Sequence, residues 1–196
     1  TLPMLPDASR YFSEVLIVLS LIAVIYIGFI AIVQSDMKKL IAYSSISHMG
    51  FVTLGCFAIY MMLNGADVQK AGLLMEGAIV IMLSHGFVSS GMFAGVGYIY
   101  DRTHTRNIAD FGGIVNSMPY FASFYLLFAM ANAGLPGTSG FVGEFMVILA
   151  SMSGGFWIAF CAATTLILGA GYTLWMYKRV VWGTSKSQKI TDLQDI

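Results

Sequence analysis

Apolar residues in this chain fall into five runs separated by short polar stretches: 15–33, 40–63, 73–100, 119–152 and 156–181. A helix crossing a bilayer needs about 20 residues, so each run predicts one membrane span. The expected fold class is therefore all-α, a polytopic membrane protein of five transmembrane helices forming one module over 1–196. The run 119–152 is long for one span and carries Gly134, Pro136, Gly137, Gly140 and Gly143 close together. This predicts a helix broken at 134–140. At membrane depth such a break survives only where protein or a water-lined cavity receives the freed backbone groups. Glu144 follows the break directly, and an acid at that depth is by default a functional residue.

Composition supports the pattern and narrows the classes. Hydrophobic residues make up 58% of 196 and charged residues 10%, well below the quarter or so of a soluble domain. The formal charge is zero, so nothing points to nucleic acid. Cys56 and Cys161 lie inside apolar runs and read as small buried side chains. The opening TLPMLPDASRYF lacks the basic and apolar regions of a signal peptide and reads as a stretch of something longer. Basic residues are distributed unevenly: Arg10 and Lys70 on the N-terminal side, against Lys38, Lys39, Arg102, Arg106, Lys178, Arg179, Lys186 and Lys189 on the other. The positive-inside rule then puts the second side in the cytoplasm or matrix and the N-terminus in the periplasm or intermembrane space.

Polar groups inside the spans are the candidate chemistry. Ser44, Ser45 and His48 share a helical face in the second span. His48 lies ten residues from Lys38, about 15 Å along a helix and so near the bilayer middle. An imidazole there can relay protons, or can simply donate one hydrogen bond to a neighbouring carbonyl or hydroxyl. His85 is similarly deep in the third span, where Gly91 and Gly95 form a small-residue face that allows close helix approach. Glu144, Asn132 and the opened backbone of 134–140 form a polar centre. Burial favours the neutral acid and a nearby cation favours the carboxylate, so Glu144 can load and release a proton as a neighbouring charge changes. Lys38 and Lys39 read as boundary cations, with stems in the membrane and ammonium groups at the interface. Glu76 reads as interfacial, and no metal-ligand spacing is present.

Two strings extend the reading. QSDMKKLIAYSSISHMGF at 34–51 and GLPGTSGFVGEFM at 134–146, with MLSHGFVSSGMF and YDRTHTR between them, resemble the antiporter-like membrane subunits of respiratory complex I (NADH-quinone oxidoreductase). Glu144, where sister subunits typically carry Lys, points to the branch of bacterial chain M and mitochondrial subunit 4. The resemblance implies a fourteen-helix parent with two inverted five-helix repeats, of which this chain is the second, lacking the first repeat and the last helix. By the same resemblance Glu144 is the terminal proton-handling group of a central polar axis. His85 links it towards the first repeat, and His48, Ser44 and Ser45 relay protons or order water. The implied partners are other membrane-arm subunits, above all neighbouring antiporter-like chains and the remainder of the same subunit, within a bacterial or mitochondrial inner membrane. NADH, FMN, iron–sulfur clusters and quinone are expected in other subunits, with no cofactor in this chain.

Three other readings stand beside this one. A multisubunit Na⁺ or K⁺/H⁺ antiporter shares the fold and the second-span motif. A structural spacer would carry no proton path of its own. A membrane cytochrome would use His48 and His85 as axial haem ligands.

Overall fold

The computed structural model describes residues 2–65, 67–185 and 188–195. Lys186 and the side chain of Lys189, both counted in the basic rim, lie outside the described residues. The elements follow the apolar runs. Pro6–Tyr11 (α1) leads into Ser13–Ile22 (α2), a π-turn at Ala23–Ile27 and Gly28–Ile32 (α3), which together make the first span, Ser13–Ile32. Met37–Asn64 (α4) and Val68–Thr103 (α5) are the second and third. A 3-10 turn at Ile108–Asp110 and the short Ile114–Ser117 (α6) cross the polar connection. Pro119–Asn132 (α7) and Ser139–Ser151 (α8) are the halves of the fourth span, and Phe156–Val181 (α9) is the fifth. Gln188–Thr191 (α10) closes the chain. The five expected spans are all present, the fourth in two pieces.

Helix ends are set by local chemistry. Asp36 caps α4, its Oδ1 accepting from the backbone N–H of Lys38 (2.8 Å) and Lys39 (3.1 Å). Asp67 does the same for α5 through Lys70 N–H, and pairs with the Lys70 ammonium at 2.8 Å. Carboxylates suit a helix start because they satisfy its free N–H groups and complement its dipole. The cap at Asp67 lets α5 begin five residues before the expected 73, since the polar Gln69 and Lys70 can coil outside the apolar zone. Glu76 consequently sits two turns inside α5, with its side chain on an exposed face.

The close helix approach falls elsewhere than expected. Gly91 and Gly95 receive aromatic rings of α7, those of Phe128 and Tyr125, rather than another backbone. Backbone contact occurs instead between Gly77 of α5 and Gly143 of α8. A Cβ on Gly143 would lie 2.8 Å from the Gly77 carbonyl, and one on Gly77 would lie 3.0 Å from the Gly143 carbonyl. Small residues let membrane helices pack at this range, where dispersion replaces the hydrophobic drive of water. Chain spacing alone cannot say which of two small-residue faces meets a small partner.

Two apolar clusters fill the bundle. One gathers Ile41, Val88, Met92, Phe111, Tyr125 and Val180 towards the basic end. The other gathers Phe51, Leu54, Leu74, Ile81, Val147 and Ala162 towards the opposite end. Along α4 and α5, His48 and His85 fall between the members of one cluster and the other. Large apolar side chains such as Phe87, Ile167 and Leu127 point outward, as a chain dissolved in lipid requires.

Candidate functional site

The break in the fourth span is built by a recognisable stop. After Asn132 the chain turns at Gly134 (φ +70°), with Gly134 N–H bonded to Ala131 O (3.3 Å) and Leu135 N–H to Met130 O (3.1 Å). That pair of bonds is the Schellman arrangement, which favours glycine in the left-handed position. It satisfies the carbonyls of Met130 and Ala131 but leaves that of Asn132 to face its neighbours. The chain then passes Pro136 and Gly137, both exposed, and re-enters a helix at Ser139. The observed gap, 133–138, lies within a residue or two of the one expected.

Glu144 projects from α8 into the space that the break opens. It is 3% exposed, and its Oε1 lies 3.5 Å from Nε2 of His48, itself 5% exposed. Its Oε2 occupies the place of the missing Gly134 side chain, since a Cβ there would stand 2.5 Å from that oxygen. Nδ1 of His48 contacts the Ser44 carbonyl of its own helix at 2.8 Å. A carbonyl can only accept, so Nδ1 carries a proton and Nε2 is the atom that faces Glu144. The Asn132 carbonyl also faces this imidazole.

His85 stacks on His48, ring centroids 5.1 Å apart at 28°. His48 therefore touches the acid directly, and His85, which the resemblance makes the link from Glu144 towards the first repeat, stacks behind His48. The crossing of α4 over α8 decides this, and spacing within α5 carries no information about it.

His48, Ser84, His85, Asn132, Gly140 and Glu144 line one small cavity of about 10 Å³, enough for a single water. Ser84 was not legible as a site residue. Its hydroxyl pairs with that of Ser139 at 2.7 Å and ties α5 to the start of α8. Its only sequence signal is adjacency to His85. Asn132 donates to Thr173 Oγ1 at 2.9 Å, which holds α7 against α9. Tyr172, also unforeseen, places a buried hydroxyl beside the gap over Gly169, where the Asn132 carbonyl also faces.

The remaining expected residues lie around the centre. Ser44 and Ser45 both donate to the Ile41 carbonyl, at 2.8 and 3.1 Å, so Ser44 contributes its backbone rather than its hydroxyl to His48. Pro136 and Gly137 shape the turn and do not line the cavity. Lys38 and Lys39 sit exposed at the start of α4, remote from Glu144.

Comparison with known proteins is decisive at the level of family. Residues 1–169 match the family model described as NADH:quinone oxidoreductase/Mrp antiporter, TM. The chain belongs to this family. It is 46% identical over 196 residues to NADH-quinone oxidoreductase subunit M of Rhodobacter capsulatus, and 44% identical to NADH-ubiquinone oxidoreductase chain 4 of Marchantia polymorpha. All of this chain is covered in both cases, but only 36% and 37% of the relatives, so it spans little more than a third of their length. Among solved structures it superimposes on a chain of respiratory complex I from Thermus thermophilus with bound NADH. The TM-score is 0.86 at 28% identity, covering 100% of this chain and 38% of that one. A chain of the Mrp complex from Dietzia shares the fold, with a TM-score of 0.80 at 22% identity over 91% of this chain and 32% of that one. The architecture is thus one half of the inverted-repeat, antiporter-like fold. The chain is a multi-pass membrane protein of a bacterial or mitochondrial inner membrane.

Proposed function

We propose that this chain is the second five-helix unit of a proton-translocating membrane-arm subunit of NADH:quinone oxidoreductase. Glu144 is its terminal proton-handling group. The observation that carries this reading is the buried contact of Glu144 with Nε2 of His48 beside a helix break. With Nδ1–H committed to the Ser44 carbonyl, one proton is shared between Nε2 and Oε1. The pair is either acid and neutral imidazole or carboxylate and imidazolium. Their separation of 3.5 Å is long for direct transfer, so a small closure or one bridging water completes the path.

His85 supplies the control. Two imidazolium rings at 5.1 Å repel by about 3 kcal/mol at an effective dielectric of about 20. A proton arriving at His85 therefore drives the one on His48 towards Glu144. Its departure lets Glu144 return the proton to His48. His85 is only half-buried, so it is the member of the group through which the remainder of the subunit reaches Glu144. The basic rim at Lys38, Lys39, Arg102, Arg106, Lys178 and Arg179 supports a cytoplasmic or matrix position for that end of the bundle, with the N-terminus on the opposite side. Electron transfer, with NADH, FMN, iron–sulfur clusters and quinone, belongs to other subunits, and the partners are neighbouring membrane-arm chains and the rest of the parent subunit.

The test is Glu144→Gln in the full complex, measuring proton pumping against NADH oxidation. Pumping is expected to collapse with assembly intact; unchanged pumping would sink the role and favour a structural spacer. The Mrp-like fold keeps an ion-antiporter reading in view, and copurification with a redox-active peripheral arm separates the two.

A further inference from the structure

At the basic end of the bundle, α4 and α5 leave an open groove of about 250 Å³ lined by Lys38, Phe93, Val96, Gly97, Tyr100 and Arg106. We propose that this groove binds the headgroup of an anionic phospholipid, with Lys38 and Arg106 on the phosphate and one acyl chain along α5. This is independent of the proton chemistry at Glu144.

The two cations are brought together by backbone, not by chance. Met37 N–H donates to the Arg106 carbonyl at 3.0 Å and Ile108 N–H to the Ser35 carbonyl at 2.8 Å, while Asp36 and Asn107 form an isolated antiparallel bridge. The link fixes the start of α4 beside the chain leaving α5, so Lys38 and Arg106 are held at one depth. The Arg106 guanidinium lies 5.3 Å from the Tyr100 ring centroid, at the level where aromatic side chains mark the edge of the apolar zone. Asp36 is 3.8 Å from Nε of Arg106, a contact that leaves the terminal nitrogens of the guanidinium for a phosphate. Lys38 enters no ion pair among the described residues.

Below the cations the groove is apolar, and this selects a lipid over free phosphate. Phe93, Val96 and Gly97 continue it along α5 into the membrane. A Cβ placed on Gly97 meets nothing within 4 Å, so the groove is open where an acyl chain would enter. Basic pockets between transmembrane helices on the cytoplasmic or matrix side have the chemistry of anionic headgroup sites. The other basic pair of this rim, Lys178 and Arg179, sits on the exposed face of α9, with Arg179 5.8 Å over Trp175.

The chain is reconstituted into phosphatidylcholine vesicles carrying either spin-labelled phosphatidylglycerol or spin-labelled phosphatidylcholine, and the motionally restricted fraction is read by electron paramagnetic resonance. The unsubstituted chain should prefer phosphatidylglycerol. Lys38→Gln and Arg106→Gln should each weaken that preference on the order of fivefold. Gly97→Leu, whose Cβ meets no atom within 4 Å and which keeps both charges, should abolish most of it at unchanged helicity. Lys178→Gln with Arg179→Gln should leave it largely intact. The proposal is overturned by a preference that survives Gly97→Leu, by equal loss in the Lys178/Arg179 variant, which would mean a diffuse basic rim, or by displacement with inorganic phosphate. It is also overturned if Gly97→Cys reacts with a lipid-soluble maleimide in the isolated chain but is shielded in the assembled subunit, which would place a polypeptide in the groove.

Discussion

Two helices in this bundle are interrupted, in opposite styles. The first span widens into a π-turn at Ala23–Ile27 with no proline or glycine inside it, and the fourth opens at 133–138 around Gly134, Pro136 and Gly137. In lipid a freed carbonyl costs several kcal/mol unless something receives it. Both breaks are served by consecutive residues of α4. The Ser47 hydroxyl donates to the Val24 carbonyl in the π-turn at 3.0 Å, while His48, the next residue, faces the Asn132 carbonyl and Glu144. Successive side chains of a helix point about 100° apart, so one helix wedged between the two breaks can address both. The difference lies in the partner. A hydroxyl can only satisfy the carbonyl, whereas an imidazole can also exchange a proton. One break is repaired by a hydroxyl, and the other meets a group that can also carry a proton.

The comparison can be broken most severely at His48. His48→Leu leaves Glu144 buried without its partner, a loss of about 3 kcal/mol for an uncompensated group, with proton transfer falling about 100-fold or more. Thermal unfolding in detergent and proton pumping in the complex measure the two effects. His85→Leu, by contrast, should slow pumping while leaving stability within about 1 kcal/mol, because its ring is half-exposed and stacked. Equal destabilisation by the two would contradict the assignment of His48 as the direct partner.

Gly134→Ala ranks next. It places a Cβ in a left-handed conformation and against Glu144 Oε2, so a cost of about 2 kcal/mol is expected together with a pumping defect. Gly137→Ala is the control. Its φ of +97° is equally unsuited to alanine, but no atom lies within 4 Å, so it should lose stability while pumping is retained per folded complex.

Ser47→Ala should cost about 1 kcal/mol and leave pumping unchanged, since it removes one buried bond from the π-turn. Amide exchange at the residues of the first span would locate the loss.

The smallest effect belongs to the helix start at Asp67, outside the membrane. Hydrogen bonds from Lys70, side chain first, hold the Asp67 carboxyl below its ordinary range. A depressed folded-state value means its capping is fully present above the ordinary aspartate range and is lost as pH falls through the lowered one. Exchange at the Lys70 and Ala71 amides should therefore quicken only in strong acid, and Asp67→Asn should remove that acid step.

Much of this was legible in the chain because bilayer physics is one-dimensional. Five apolar runs of spanning length leave few alternatives to five spans, and Gly134 with Pro136 leaves few to a break. Glu144 stood out because no ordinary packing role explains an acid at that depth. The π-turn was not legible: AVIYI at 23–27 is an unremarkable apolar string, and its extra residue is stabilised by Ser47 of another helix. Gly77 and Gly143 were similarly silent as a pair, since each becomes meaningful only against the other.

The sequence by itself determined the number of spans, where one of them breaks and which ionisable groups lie within the membrane, because each depends on transfer from water and is written in local composition. Only the tertiary structure decided who touches whom: His48 rather than His85 on Glu144, the backbone of Ser44 rather than its hydroxyl, and the Glu144 carboxylate in the space beside Gly134. Contact depends on how α4 crosses α5 and α8, and that crossing is set by glycines and side-chain shapes tens of residues apart.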